Sequence, residues 1–237
     1  MKHFILIGSI VLSLMVIGLS ACMNTIKGNG NVSEENRDVT QFTSIDVRGA
    51  YKIFIRQGEK EELAVRADEN LQDNIHCKVD GKTLKIWNER NIINATELKL
   101  FITVKDLEKI EISGACKLKS KSEIKGDNLK IDISGAAKVD MQVDINQIDI
   151  DLSGGSESNL SGKAKDVSVD ISGAGDLNAL NLETDNFDID ISGAGRAKVF
   201  ANKELNASIS GAGKVEYKGN PQINQDISGA GSIEPLE

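Results

Sequence analysis

The residues best suited to chemistry in this 237-residue sequence recur at intervals and form no single cluster. Glu111, Asp132, Asp151, Asp170, Asp190 and Asp226 each stand just before an Ile or Leu that opens a Ser-Gly motif, and Ser208 takes that place once. Two positions later comes a serine: Ser113, Ser134, Ser153, Ser172, Ser192, Ser210 and Ser228. Carboxylate and hydroxyl oxygens are what hard cations bind, so Ca²⁺ between stacked copies is the chemistry on offer, with Asp132, Asp151, Asp170 and Asp190 as candidates. Each copy supplies only one such carboxylate, and the nine-residue Gly-Gly-x-Gly-x-Asp calcium repeat is absent. A solvated acidic face with a serine ladder at a tight corner is therefore the expected state, with no metal and no cofactor. Stacked carboxylates about 4.8 Å apart repel by nearly 1 kcal/mol even in bulk water, so lysines, water or cations must separate them.

Catalytic constellations are harder to find. Asp149/Asp151 and Asp188/Asp190 place two carboxylates on one face of a strand, as glycosidic chemistry uses, yet the pairs repeat with the motif, whereas an active site should break it. Arg196 is the only arginine near these columns. His76 adjoins Cys77, but neighbours in a strand point to opposite faces, which makes a poor dyad. Gly-x-Gly pairs precede no helix and so build no phosphate cradle. Trp87 has the shape to stack on a sugar and is expected to pack within the structure. No residue is assigned a catalytic role, and the expectation is a protein that is not an enzyme.

Cys22 is the one position with a definite chemical expectation. Lys2 precedes an apolar run from Phe4 to Leu19, which ends in Leu19-Ser20-Ala21-Cys22. The run is too short and wrongly flanked for a stable transmembrane helix and reads as an export signal over residues 1–21. Its ending resembles the bacterial lipobox, in which the cysteine thiol carries lipid. Without the leader, the Lys and Arg total of 28 loses Lys2 against 36 acidic residues, leaving a net charge near −9. That excludes nucleic acid as a partner and leaves the lipid to hold the chain on a membrane. The expected site is the cell envelope, as an outer-membrane lipoprotein on its periplasmic or surface side. Export would permit a Cys77–Cys116 disulfide, but nothing in the sequence brings the two together, and two buried thiols are expected.

The elements that position these residues are strands. Ile-Ser-Gly-Ala or a close variant begins at Ile112, Ile133, Leu152, Ile171, Ile191, Ile209 and Ile227, at intervals of 21, 19, 19, 20, 18 and 18 residues. Val47-Arg48-Gly49-Ala50 reads as a degenerate outlying copy. Before each motif, apolar and polar residues alternate, as in Phe187-Asp188-Ile189-Asp190-Ile191, which is the period of a half-buried strand. A short second run such as Lys138-Val139-Asp140-Met141 follows, and then a polar turn such as Lys125-Gly126-Asp127-Asn128. One unit cannot bury its apolar face alone, but stacked units can. The predicted fold is all-β: a right-handed parallel β-helix, seven rungs making a rod of about 34 Å. The two closing intervals of 18 keep a left-handed hexapeptide helix open. Residues 39–110 are strand-like without the clean repeat and are predicted to form an irregular N-terminal cap, residues 111–237 the repeats, and residues 22–38 a flexible tether.

The run Lys27-Gly28-Asn29-Gly30-Asn31-Val32, then Arg37-Asp38-Val39 and Phe42-Thr43-Ser44-Ile45-Asp46-Val47-Arg48-Gly49-Ala50, resembles the opening of the head GIN domain family. So do Arg56-Gln57-Gly58, Ala67-Asp68-Glu69-Asn70-Leu71 and Asp80-Gly81-Lys82-Thr83-Leu84, ahead of the Ser-Gly-Ala repeats. The resemblance spans nearly all of 28–237. It implies a β-helical fold and a surface or periplasmic adhesin of the kind common among Bacteroidetes lipoproteins, and it brings no catalytic or binding residues. Three functions follow in order of expectation: an adhesin or interaction module with a protein or glycan partner, a structural or assembly component of the envelope, and a polysaccharide-active β-helix enzyme.

Overall fold

The computed structural model describes residues 24–236. The expected leader over 1–21 and the expected lipidation at Cys22 lie outside the described residues. What is described is a β-solenoid of about seven turns with parallel stacked strands. In chain order the strands are β1 (Thr25–Lys27), β2 (Val32–Arg37), β3 (Ser44–Gly49), β4 (Lys52–Gln57), β5 (Glu62–Asp68), β6 (Ile75–Asp80), β7 (Thr83–Asn88), β8 (Asn91–Ile93), β9 (Leu98–Val104), β10 (Lys109–Gly114) and β11 (Lys117–Ser120). Then come β12 (Ile124–Gly135), β13 (Lys138–Gly154), β14 (Glu157–Gly173), β15 (Asp176–Gly193), β16 (Arg196–Gly211), β17 (Lys214–Lys218), β18 (Gln222–Gly229) and β19 (Ser232–Pro235).

In the middle of the repeats, over β13 to β16, each coil is one long strand that bends and then breaks only at the Ser-Gly corner. The polar stretch predicted as a turn at 125–128 stays paired, Lys125 with Asp144 and Asn128 with Gln147, because stacked polar side chains can bond to one another there. Asn146 donates to Asp127 at 2.8 Å, and Asn186 donates to Asp166 at 2.6 Å. The alternation seen in the sequence puts Ile131, Ile150, Val169 and Ile189 inside, all at most 2% exposed. At about 25 cal/mol per Å² of apolar surface removed from water, this continuous interior is the main force holding coil on coil.

The corner is made by glycine. Gly49, Gly114, Gly135, Gly154, Gly173, Gly193, Gly211 and Gly229 are in register and all have positive φ, between +99° and +140°. A Cβ on Gly135 would lie 2.6 Å from the Gly114 carbonyl oxygen, and one on Gly154 would lie 2.7 Å from that of Gly135. Such carbonyls also accept the next corner's N–H: Gly114 from Ala136 at 3.0 Å, Gly154 from Ala174 at 3.0 Å, and Gly173 from Ala194 at 2.8 Å. The stack therefore needs both the left-handed backbone and the missing side chain.

Just past the corner, one inward column changes size along the solenoid: Tyr51, Cys116, Ala137, Ser156, Gly175, Gly195, Gly213 and Gly231. At its wide end the Tyr51 ring fills the corner and its hydroxyl bonds to Asn88. At its narrow end the space is taken, since a Cβ on Gly195 would lie 2.6 Å from Cγ2 of Ile171.

The cap over residues 39–110 is irregular, as expected, and mixes strand directions. β3 and β4 form a regular coil, Ile112 of β10 pairing with Val47 and Gly114 with Gly49, so the degenerate motif is a true copy of the corner. The chain then departs: β5 runs antiparallel to β9, β6 antiparallel to β7, and β7 and β9 lie parallel to β3 and β4 on the side away from the repeats. The predicted tether over 22–38 is corrected for the residues described. β1 pairs with β8, and β2 adds an antiparallel edge to β5. Asp68, 0% exposed, fastens this segment by accepting from the N–H of Gly30 at 2.6 Å and of Thr96 at 2.7 Å, while Arg37 donates to Gln72. Burial alone would raise the Asp68 carboxyl, but these N–H groups outweigh it and hold it below the usual carboxylate range.

At the opposite end β18 is exposed along its length, with Ile223 and Ile227 at 37% and 38%. The inward amide of Gln225, the charge of Asp226 and the ring of Pro235 are features that discourage pairing at a sheet edge.

Candidate functional site

The acidic and serine columns form as predicted. Asp46, Glu111, Asp132, Asp151, Asp170, Asp190, Ser208 and Asp226 are successive partners, and the serines lie in register beside them. The column is not uniform. In its first half, Lys109 bridges Glu111 and Asp132 at 2.9 and 3.0 Å, and Lys130 bridges Asp132 and Asp151 at 3.3 and 2.8 Å. Burial works against Asp132, but hydrogen bonds shared with Asp151, Lys109 and Lys130 keep it below the usual range. In the second half the lysine position holds Asp149, Ser168 and Asp188 instead. There Asp170 is raised by burial and then by the charges of Asp151, Asp190 and Asp188, and Asp188 is raised by burial and then by Asp190 and Glu204.

Among the described residues no group of three or more His, Cys, Asp or Glu side chains is arranged to hold a metal ion. The candidates Asp132 and Asp151 are engaged by lysine, and Asp170 and Asp190 stand in a like-charged row. The serine ladder is sparse: Ser153 donates to the Ile133 carbonyl at 3.2 Å.

The other candidates separate. His76 stacks on Trp87 with ring centroids 5.3 Å apart and faces Glu89 at 3.4 Å, while Cys77 pairs with Ile86. Burial pushes the Cys77 thiol up to about 11, which favours the protonated form at neutral pH. Cys77 and Cys116 are both free, and no bridge joins them. Trp87, expected inside, is 36% exposed on the outer surface of the cap.

The largest departure from the repeat was not anticipated. Phe54 on β4 and Phe101 on β9 both point outward, because each sits between residues that point in: Ile53 and Ile55, Leu100 and Ile102. Their rings stack at 5.3 Å and 20°, and the Lys121 ammonium lies 4.5 Å from the Phe54 centroid. On the far side of Phe101 the paired residue is Ala64 of β5, and beyond it comes Asn36 of β2. The small side chain at Ala64 opens a groove of about 730 Å³, lined also by Arg37, Asp38, Arg56, Glu62 and Thr103. Arg56 donates to Thr103 at 2.9 Å and to Glu62 at 3.0 Å, which fixes the rim. The sequence did carry a signal here: Ile53-Phe54-Ile55 and Leu100-Phe101-Ile102 break the alternation of apolar and polar residues.

The described residues thus form a glycine-cornered β-solenoid with an aromatic groove on its cap. The chain belongs to the family described as "Putative auto-transporter adhesin, head GIN domain", whose model matches residues 41–221. Solved structures share the fold. A "putative adhesin" from Bacteroides fragilis is 24% identical with a TM-score of 0.85, covering 89% of this chain and 100% of that one. A "putative lipid binding protein" from Parabacteroides distasonis is also 24% identical with a TM-score of 0.74, and a "putative adhesin" from the same species is 22% identical with a TM-score of 0.74; each covers 90% of this chain and 100% of its own. No curated protein sequence matches.

Proposed function

We propose that the protein is a lipid-anchored, non-catalytic binding module of the cell envelope, in which the repeats form a stiff body and the cap engages the partner. The observation that carries this reading is the contrast in outer surfaces. The repeats present mostly charged and small polar side chains on the outside, whereas the cap presents the Phe54–Phe101 pair above a groove with a fixed polar rim. A concave, partly apolar site with few convergent polar groups is where ligands bind, and a family of adhesins is the setting in which such a site has a use.

Lipid on Cys22 would leave only Met23 and Asn24 before β1, so the anchor would hold the capped end at the membrane. None of the described helices is long and apolar enough to cross a bilayer. In cell fractionation, the protein should sediment with membranes and be released by Cys22→Ser. Protease added to intact cells should remove it if the outer leaflet carries it. A wild-type chain that stays soluble in the cytoplasm would overturn the reading.

A further inference from the structure

We infer that the cap groove binds a neutral pyranose ring of a glycan, standing on Ala64 against the open face of Phe101. This rests on the reading of the cap as the binding end. Along the outer surface the register runs Phe54, Phe101, Ala64, Asn36, one residue per strand. Strands are spaced about 4.8 Å apart, which is near the 5.3 Å separating the two rings, so the sheet sets out flat groups at stacking distance. Lys121 covers one side of Phe54, and Phe101 covers the other. Phe101 is left with its second side over Ala64, where no side-chain atom extends past Cβ. From Phe101 to Asn36 is two strand spacings, about 10 Å, which admits one flat ring with contact on both sides.

The groove's charge selects among flat ligands. Its lining has Arg37, Arg56 and Lys121 against Asp38, Glu61 and Glu62, three of each sign. Arg56 is tied to Glu62 at 3.0 Å and Arg37 to Glu35 at 3.0 Å, so these groups present hydrogen-bond donors and acceptors with little net field. Among the described residues Lys121 lies over Phe54 with no carboxylate partner, but the lining as a whole carries as many acidic as basic groups, so a phosphate or sulfate would meet repulsion along with attraction. A pyranose offers what the site lacks: an apolar C–H face with slight positive polarity for the negative face of a phenyl ring, and a girdle of hydroxyls for Asn36, Thr103 and the Arg56–Glu62 pair. The volume of about 730 Å³ leaves room for sugars on either side of the stacked ring, which suits a chain.

The test uses full-length protein extracted in a detergent without a sugar headgroup. It is applied to immobilised neutral gluco-, galacto- and manno-configured oligosaccharides, with sulfated and sialylated chains alongside. The expected result is binding to at least one neutral series, competed by the free oligosaccharide. Ala64→Trp, which fills the slot, should abolish it. Phe101→Leu, which keeps an apolar side chain but removes the flat face, should weaken it about tenfold, with the melting temperature of both variants near that of wild type. Failure of the wild type to bind any neutral pyranose, preference for anionic chains alone, dependence on an aryl aglycone, or unchanged binding by both variants would each overturn the inference. An anchored, envelope-located protein that binds no sugar would sink this inference and leave the broader reading standing. A sugar-binding protein that fractionates with the cytoplasm would do the reverse.

Discussion

The cap and the repeats share one corner and differ in nearly everything outside it. Gly49 continues the glycine stack and Asp46 continues the acidic column, so the same local rule operates from β3 to β18. The repeats then apply it with little change: parallel neighbours, apolar residues in, and charged and polar residues out apart from Phe200 beneath Lys218. The cap keeps the corner but reverses β5 and β6, buries a carboxylate at Asp68, and turns Phe54 and Phe101 outward. A uniform outer surface is what stacking requires. The region that departs from it is the one to which the proposed function assigns the partner.

That contrast breaks most visibly at glycine. Gly135→Ala places a Cβ 2.6 Å from backbone at φ +117°, and both partners of the clash are fixed by hydrogen bonds. A loss above about 3 kcal/mol is expected from strain plus displaced backbone, read as a lower urea midpoint. Gly81→Ala, in the cap hairpin at φ +62° with nothing within 4 Å, should lose only about 1 kcal/mol. Equal losses at the two positions would mean that the corner does not govern the stack.

Acidification should separate the regions by sign. Asp170 and Asp188 are raised, so their folded state suffers above its own pKa and is relieved as the pH falls toward the ordinary carboxylate value near 4. Asp68 is lowered, so its contribution is complete above that value and is lost only as the pH drops further. Peptide-resolved hydrogen exchange should show the coils around 167–190 gaining protection between pH 7 and about 4 while the cap is unchanged, and the cap opening first below that. Asp170→Asn should erase part of the gain; a gain that survived in the double variant with Asp188→Asn would refute this account.

A smaller effect tests the packing inside one coil. Ser156 and Ser158 are both 2% exposed and their hydroxyls have no partner, with Ser158 seated between Val139 and Leu177. Ser158→Val should stabilise by about 1 kcal/mol in thermal melts, since it removes an unsatisfied polar group and fills the column. Smallest of all, Lys130→Met should change stability by less than about 0.5 kcal/mol at physiological salt, because its ion pairs are half exposed. A larger loss would give the lysine bridges a structural weight that their exposure argues against.

Most of the repeat was legible because a single rule, alternation ended by Ser-Gly, is written seven times and each copy supports the others. Val47-Arg48-Gly49 could be recognised for the same reason, despite its changed residues. The cap was legible only as strands. The Asp80-Gly81 turn admits only an antiparallel β6–β7 pair, but the direction of β5 depends on which neighbour it meets, and nothing local to 62–68 distinguishes antiparallel from parallel pairing. The order of residues 24–38 was missed because their polar composition looks like a linker, while the groups that fix them, Asp68 and Gln72, lie about forty residues away. The columns of the candidate metal site were readable, but their relief by Lys109 and Lys130 depends on side-chain reach. The groove was partly written in the triple apolar runs around Phe54 and Phe101. The role of Ala64 appears only once β5 is placed beside β9.

The column from Tyr51 through Cys116, Ala137 and Ser156 to the glycines gives each of the first four levels its own address and the last four a common one. Arrays of near-identical units are exposed to slippage during folding, in which a coil docks one level too early and the error is passed along. Here a tyrosine level cannot settle where Ile171 or Ile191 already fills the corner, and a glycine level docked beside Asn88 would leave a hole the size of a phenol ring. The sequence thus repeats its backbone instruction while numbering its copies, and a duplicated or deleted coil would be tolerated best among the last four levels, where the number is the same.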